Sequence, residues 1–262
     1  MAKKIALANM KGGIGKTTTA LCLSHSLIKL GYKVLLIDTD PQKSATSVYG
    51  ARTENVPTLS DMMFENMQAS ECIQSLELGD IIAADNSLQY ADTQIPTDAD
   101  RFYHINDTCS AIEDDYDFII FDCPPGNGVM LGNVLSYVNY VVIPIIADKF
   151  GVQGMYDFKD VISMYSKRIN PSIKILGVLI VKYKGRQNLT RDLEENLIPK
   201  LVENLNTKLF DTRIRESVKC QEAQALGKSI YSHAPKCSTS TDYDRFTREL
   251  LKEIDDYEQF NR

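Results

Sequence analysis

The chain lacks the paired cysteines that staple a fold or hold a metal. Its six cysteines, Cys22, Cys72, Cys109, Cys123, Cys220 and Cys237, include no C-x-x-C spacing and are scattered through stretches that read as helices and strands. That argues against a disulfide framework or a zinc knuckle and for reduced structural thiols. A hydrophobic run of membrane length is also missing: the longest, 140–147 and 173–181, fall far short of the roughly 20 residues of a helical span. There is no room for a signal peptide, because Met-Ala-Lys-Lys leads straight into the first apolar run, and the expected location is cytoplasmic. No repeat, linker or low-complexity segment interrupts the sequence, so residues 1–262 read as one large domain with ample length for a core.

A surplus of positive charge is absent as well. The net charge is −6, which argues against a generally basic nucleic-acid binder. The distribution says more than the total. Residues 51–117 hold 15 acidic and only two basic side chains, Arg52 and Arg101, and carry −13, which leaves +7 on the remainder. A mildly basic body with one acidic region can still present a basic face.

What the sequence does have is strands alternating with helices. Residues 3–8 read as a buried strand, 17–30 as a helix ended by Gly31, and 34–37 as a second strand. Further strands are expected at 80–84, 117–122, 140–146, 174–181 and 209–214. Helices are expected at 59–67, 69–76, 97–114, 151–168, 189–205, 222–227 and 241–258. Leu189, Leu193, Leu197, Leu201 and Leu205 form an i+4 stripe that reads as a core face with no cofactor role. Continuous apolar strands joined by helices predict an α/β fold: a single doubly wound, mostly parallel sheet with helices on both faces.

Between the first strand and the first helix lies Lys11-Gly12-Gly13-Ile14-Gly15-Lys16-Thr17-Thr18. Glycines at a strand-to-helix turn let backbone N–H groups converge on an anion, and the helix N-terminus adds partial positive charge. The pattern fits G-x-x-x-x-G-K-[ST] loosely: two residues, not four, separate Gly12 from Gly15, and Lys11 heads the loop. Lys16 suits β- and γ-phosphates, and the Thr17 hydroxyl suits Mg²⁺. Asp38 and Asp40 follow the second strand, and Asp122 ends the 117–122 strand. In parallel sheets ligands sit beyond the carboxyl ends of strands, so these acids and the loop should share one crevice. Asp122 looks like the acid that holds Mg²⁺, and Asp38 or Asp40 could orient the attacking water. An Asp before Pro can also simply start a turn, and Asp122 can serve as a strand cap.

Lys-Gly-Gly-Ile-Gly-Lys-Thr-Thr, Asp-Thr-Asp-Pro-Gln and Phe-Asp-Cys-Pro-Pro together resemble, in order and spacing, the three signatures of the ParA/MinD family of deviant Walker A P-loop ATPases. The likeness is closer to the ParA (Soj-like) side and extends through Gly177-Val178-Leu179-Ile180 and Glu222-Ala223…Gly227-Lys228-Ser229-Ile230. A phosphate loop this near the start resembles the short partition ATPases without an N-terminal helix-turn-helix domain. The resemblance implies ATP and Mg²⁺ as cofactors, and a homodimer closed face to face around the nucleotides. Lys11 would reach the partner's nucleotide and Gly12 would lie near the interface. Gly13, Ile14, Gly15, Lys16, Thr17 and Thr18 would complete the phosphate cradle. Asp40 would position water, while Thr17, Asp38 and Asp122 serve the magnesium shell. It further implies nonspecific DNA binding by the ATP dimer, nucleoid association, and a ParB-like centromere-binding partner that stimulates hydrolysis.

Lys182, Lys184, Arg186 and Arg191 fall within ten residues that contain no acid. Arg186 falls where the family places a DNA-contacting arginine, and Lys219 near a second such position, with Arg213 and Arg215 close by. Lys182 follows the strand that contacts adenine in the family and could serve the nucleotide instead. The sequence departs from the family at Gly126-Asn127-Gly128 and at Asp148-Lys149-Phe150. The ending, 253–262, lacks the basic amphipathic helix of MinD-type membrane binders, so no membrane partner is expected. Two alternatives share these motifs: an ATPase that positions a protein cargo, and a nucleotide-dependent transcriptional regulator.

Overall fold

The strand ahead of the glycine loop lies in the interior of one eight-stranded sheet. The structure is a computed structural model that describes residues 1–184 and 197–260. Its strands are β1 (Lys3–Leu7), β2 (Val34–Asp38), β3 (Ile73–Leu76), β4 (Gly79–Ile82), β5 (Phe118–Asp122), β6 (Tyr140–Ile145), β7 (Lys174–Tyr183) and β8 (Leu209–Arg215). Their order is β3-β4-β2-β5-β1-β6-β7-β8, and every pairing is parallel except the β3–β4 hairpin. The chain winds outward from β1 to the β3 edge, returns through β5, and then winds to the β8 edge. The crevice beyond the carboxyl ends of β1, β2 and β5 is where such a sheet takes a ligand.

Alternate residues of each central strand enter cores on opposite faces. Ile5, Leu7, Phe118 and Ile120 pack on the face covered by the helices Lys16–Lys29 and Ser238–Phe260. Ala6, Ile119 and Phe121 pack on the other, with residues of the helices Val129–Tyr137, Lys149–Arg168 and Ile198–Asn204. Burial on both faces is the physical reason the strands read as continuous apolar runs. Among the described residues no helix is long and apolar enough to cross a membrane.

Two expectations need correction. Residues 69–76 are not helical throughout: the helix Ala69–Cys72 gives way to β3, whose backbone pairs with β4 across the turn at 77–78. The expected helix at 97–114 shrinks to His104–Cys109 and one 3₁₀ turn, Ser110–Ile112. Its first part is a chain of turns in which the Asp100 amide bonds to Asp98 Oδ1 at 3.1 Å and Arg101 donates to the carbonyl of Ile95 at 2.9 Å. Short acidic side chains that bond to nearby backbone compete with helix, and here they win. The helix Val129–Tyr137 carries no amphipathic pattern in the sequence, because it is largely apolar and buried almost throughout. Arg186, Arg191, Leu189 and Leu193 lie outside the described residues.

Candidate active site

The loop after β1 needs glycine at two places for backbone reasons. Gly13 has φ +72° and Gly15 has φ +92°, in the left-handed region. Space is not the constraint at Gly15, where an added Cβ would lie 3.7 Å from Val181 Cγ2. The Gly15 carbonyl starts the helix Lys16–Lys29 by accepting from the Thr19 amide at 2.9 Å and the Thr19 hydroxyl at 2.8 Å. Lys16 is buried at 6% exposure, and its Nζ donates to the Lys11 carbonyl at 3.0 Å. Lys182 Nζ reaches in from the end of β7 to the Gly13 carbonyl at 2.7 Å. Burial pulls the Lys16 ammonium below its ordinary pKa, and Asp122, Cys123 and Asp40 pull it partly back. A cation held this dry calls for anionic company.

Lys11 is fixed through its backbone and directed outward through its side chain. Its amide donates to Asn9 Oδ1 at 3.2 Å, and Asn9 Nδ2 donates to the Pro144 carbonyl at 2.9 Å. Its Nζ lies 3.8 Å from Asp148 Oδ1, the same oxygen that caps the helix Lys149–Arg168 by accepting from the Gly151 amide at 2.6 Å. Both side chains remain about one-third exposed.

The three acids divide by their hydrogen bonds. Asp38 and Asp122 are fully buried and face each other across the β2–β5 register. Asp38 accepts from the Thr46 amide and the Thr46 hydroxyl, each at 2.8 Å, and from the Asp40 amide at 3.2 Å. Burial raises its pKa to about 6 against the opposing pull of these donors. Asp122 Oδ1 and Oδ2 both lack a hydrogen-bond partner of good geometry. Burial, then Asp38, push its pKa well above the ordinary carboxylate value, while Thr17 and Lys16 oppose. Asp40 is partly exposed, lines the cavity, and fixes its own turn by accepting from the Gln42 amide at 2.9 Å.

A buried carboxylate with two idle oxygens beside a threonine hydroxyl and a lysine fits a hard cation that brings phosphate oxygens and water as its other ligands. Among the described residues no cluster of three or more His, Cys, Asp or Glu could hold a metal unaided. Asp38, with its oxygens already engaged, suits holding the 39–46 turn more than ligating directly.

The carboxylate of Asp122 costs the ligand-free protein stability. We expect Asp122→Asn to raise ligand-free stability by about 1–3 kcal/mol. A group whose folded pKa is raised loses its stabilising contribution as pH climbs from the unfolded value toward the folded one, so wild type falls behind the variant as pH rises. Thermal melts at pH 5 and pH 8 check this: the gap should be wider at pH 8, and a variant that melts lower at both contradicts it.

The loop opens into a cavity of about 480 Å³. Gly12, Gly13, Gly15, Lys16, Thr17 and Thr18 line one end, and Ile14 is buried beneath. Val48, Val181, Ile214, Cys220, Gln224 and Tyr243 also line it and add a largely apolar wall against which a flat ring system can rest. Sequence reasoning missed this wall. Cys220 and Gln224 are four apart on the helix Val218–Ala225, and Gln224 Nε2 donates to Thr18 Oγ1 at 3.0 Å. That spacing was the one available signal, and its partner lies 206 residues away.

The structure also places the basic residues. Arg215 lines the cavity, and its guanidinium is held bidentate by buried Asp242, at 2.8 Å from Nε and 2.7 Å from Nη2. Lys184 pairs with Glu216 and Lys219 with Glu222, each at 2.8 Å and each half exposed. Arg213 Nη1 donates to the Asp211 carbonyl at 3.0 Å and to the Phe210 carbonyl. Lys182 and Lys184 lie at the end of β7, and Arg213 and Arg215 on β8 beside it. The acidic segment 51–117 builds β3 and β4 at the opposite edge.

Comparison with known proteins agrees with this geometry. A family described as "AAA domain" matches residues 2–175. The chromosome partitioning protein ParA of Caulobacter vibrioides is 30% identical over 252 residues, 94% of this chain and 93% of that one. The sporulation initiation inhibitor protein Soj of Bacillus subtilis is 30% identical over 97% of this chain and 98% of its own length. A solved structure, the cobyrinic acid a,c-diamide synthase of Mycobacterium smegmatis with bound ADP and magnesium, superposes with a TM-score of 0.83 at 25% identity, covering 97% of this chain and 96% of that one. Its name points to different chemistry on the same fold, as such folds allow.

Proposed function

The chain belongs to the ParA/Soj family of P-loop ATPases, and on that premise we propose that it is an ATP-hydrolysing DNA-segregation protein. ATP and Mg²⁺ occupy the cavity, a homodimer closes around them, the dimer binds DNA without sequence preference, and a ParB-like partner resets it. One observation carries the nucleotide assignment: a buried ammonium, Lys16, lines a cavity of about 480 Å³ together with a glycine loop and interacts electrostatically with a buried carboxylate whose two oxygens are idle, Asp122.

Each residue has a definite task. Lys16 holds a point charge against the β- and γ-phosphates, and backbone groups of Gly12, Gly13, Gly15 and Thr18 surround them. Thr17 and Asp122 hold the metal, which supplies charge neutralisation on the phosphate oxygens when bound. Asp38 acts at one remove, fixing the turn that carries Asp40 through Thr46. Asp40 orients the attacking water. Lys182 steadies the loop at Gly13 and adds positive charge at the cavity. Lys11 reaches the nucleotide of the second subunit.

DNA binding is assigned to the β7–β8 end, with Lys184, Arg213 and Lys219 as contacts in the described part and Arg186 as the sequence-based candidate. Exposed pairs such as Lys184–Glu216 contribute little to stability, so their cations can exchange a carboxylate for a phosphate at small cost. Arg215 is different: its bidentate bond to buried Asp242 makes it part of the cavity wall. The protein would be cytoplasmic and nucleoid-associated.

Retention on nonspecific DNA should require ATP and fall steeply with salt. Lys184→Ala and Lys219→Ala should each weaken binding on every sequence and lower the slope of log K against log salt by about 1. Filter binding at several salt concentrations reads both. Salt-insensitive retention, or equal retention with ADP, would sink the DNA assignment.

A further inference from the structure

Two thiols outside the phosphate machinery meet where two helices border the same cavity. Cys22 lies on the helix Lys16–Lys29, and Cys220 in the first turn of the helix Val218–Ala225. The helices touch along a seam with two rungs: Gln224 Nε2 donates to Thr18 Oγ1 at 3.0 Å, and Cys22 Sγ lies 3.9 Å from Cys220 Sγ. Thr18 and Cys22 are four apart on one helix, and Cys220 and Gln224 four apart on the other. Each pair therefore shares a helix face, and the two helices pass antiparallel. Cys220 lines the cavity together with Thr18 and Gln224, and buried Cys22 stands behind it.

This arrangement separates the roles of the two sulfurs. A reagent in the cavity meets Cys220 first. Ser217 caps the helix by accepting from the Lys219 amide, and Cys220 follows in the first turn, where the helix end favours a thiolate. The hydrogen bond from Cys22 lowers the Cys220 pKa further, while burial raises that of Cys22. Cys237, the remaining thiol of this neighbourhood, does not line the cavity and bonds to Ser240 Oγ at 3.6 Å.

We propose that Cys220 is a modification site for low-molecular-weight disulfides that enter through the cavity, and that Cys22 resolves the adduct into an internal Cys22–Cys220 disulfide. The Cys220 thiolate attacks one sulfur of the disulfide RSSR, and the other sulfur leaves as RS⁻ and takes up the proton that Cys220 released. The Cys22 sulfur then attacks the Cys220 sulfur, the mixed disulfide breaks, and the second RS⁻ leaves with the Cys22 proton. Two protein thiols are oxidised and RSSR is reduced to two RSH. The sulfurs must close from 3.9 Å to about 2.05 Å, a shift within reach of an eight-residue helix that borders open space. The product bolts the cavity wall to the phosphate-loop helix.

The test uses the full chain and oxidised glutathione, with and without saturating ADP, followed by thiol titration under denaturing conditions, intact mass and peptide mapping. The expected result is loss of two thiols, no retained glutathione and a peptide linking positions 22 and 220. Cys22→Ser should stop with one glutathione on Cys220, Cys220→Ser should leave Cys22 free, and Cys237→Ser should behave as wild type. The mapping on wild type decides the matter even if a variant fails to fold. Glutathione on Cys237 alone, or both Cys22 and Cys220 free after prolonged exposure, overturns the proposal. The expected protection by ADP, at least tenfold in rate, rests on the nucleotide reading of the cavity. If ADP binds in a separate titration yet gives no protection, entry through the cavity is wrong. If ADP does not bind at all, that reading fails while the thiol mapping still stands or falls alone.

Discussion

Lys16→Ala should reduce ATP turnover by about 10²–10³-fold or more, the scale set by removing one preorganised charge from a transition state. The loss should fall on turnover and leave the fold intact. Lys16 is the buried ammonium of the loop, and its Nζ donates to the Lys11 carbonyl at 3.0 Å. Burial already lowers its pKa, so the ligand-free fold gains little from the charge, and removing it should change the melting temperature by only a few degrees. Steady-state phosphate release beside a thermal melt separates the two effects. Turnover within tenfold of wild type would mean that another cation neutralises the phosphates, and Lys182, at the same cavity, would be the one to examine.

Lys11→Ala should give the opposite profile: nucleotide still bound by the monomer, but no ATP-dependent dimer and no ATP-dependent DNA retention. Two ammonium groups in one short loop repel unless anions lie between or near them. Lys16 points inward and is buried, so the cavity's own nucleotide satisfies it. Lys11 points outward and rests near Asp148 at 3.8 Å, a loose and partly solvated pair worth little by itself. Its backbone is pinned through Asn9 to the end of β6, so the loop is held in place while the partly solvated ammonium can exchange its loose carboxylate contact for a stronger anion. The nucleotide of a second subunit is that anion in the proposed dimer. Fluorescent-nucleotide titration should find affinity within a few-fold of wild type, whereas light scattering with ATP should find monomer.

The sheet was legible because both its faces are buried. Val34–Asp38 and Phe118–Asp122 are buried at every position, and such runs have few other uses. The phosphate loop was legible because Gly13 and Gly15 need left-handed backbone that other residues resist. Residues 97–103 misled because polar side chains at helical spacing carry no mark of whether they bond to solvent or to their own backbone, and Asp98 and Arg101 do the latter. β3 misled because its strand character comes from pairing with β4, which no local pattern records. The division of labour between Asp38 and Asp122 was also hidden. Both end apolar strands, and only the position of Thr46 tells which one is already occupied. The cavity wall that joins Thr18 to Gln224 spans most of the chain, and beyond the i+4 spacing of Cys220 and Gln224 the sequence carries no sign of that contact.

The central claim is that ATP switches DNA binding by closing a dimer on Lys11. Sedimentation velocity on Asp40→Ala tests it most directly, because a protein that cannot position the attacking water should hold ATP and stay assembled. With ATP and Mg²⁺ it should sediment as a dimer, with ADP as a monomer, and Asp40→Ala carrying Lys11→Ala should remain a monomer with either nucleotide. Equal sedimentation of Asp40→Ala in ATP and ADP, or a dimer from the double variant in ATP, would contradict the account.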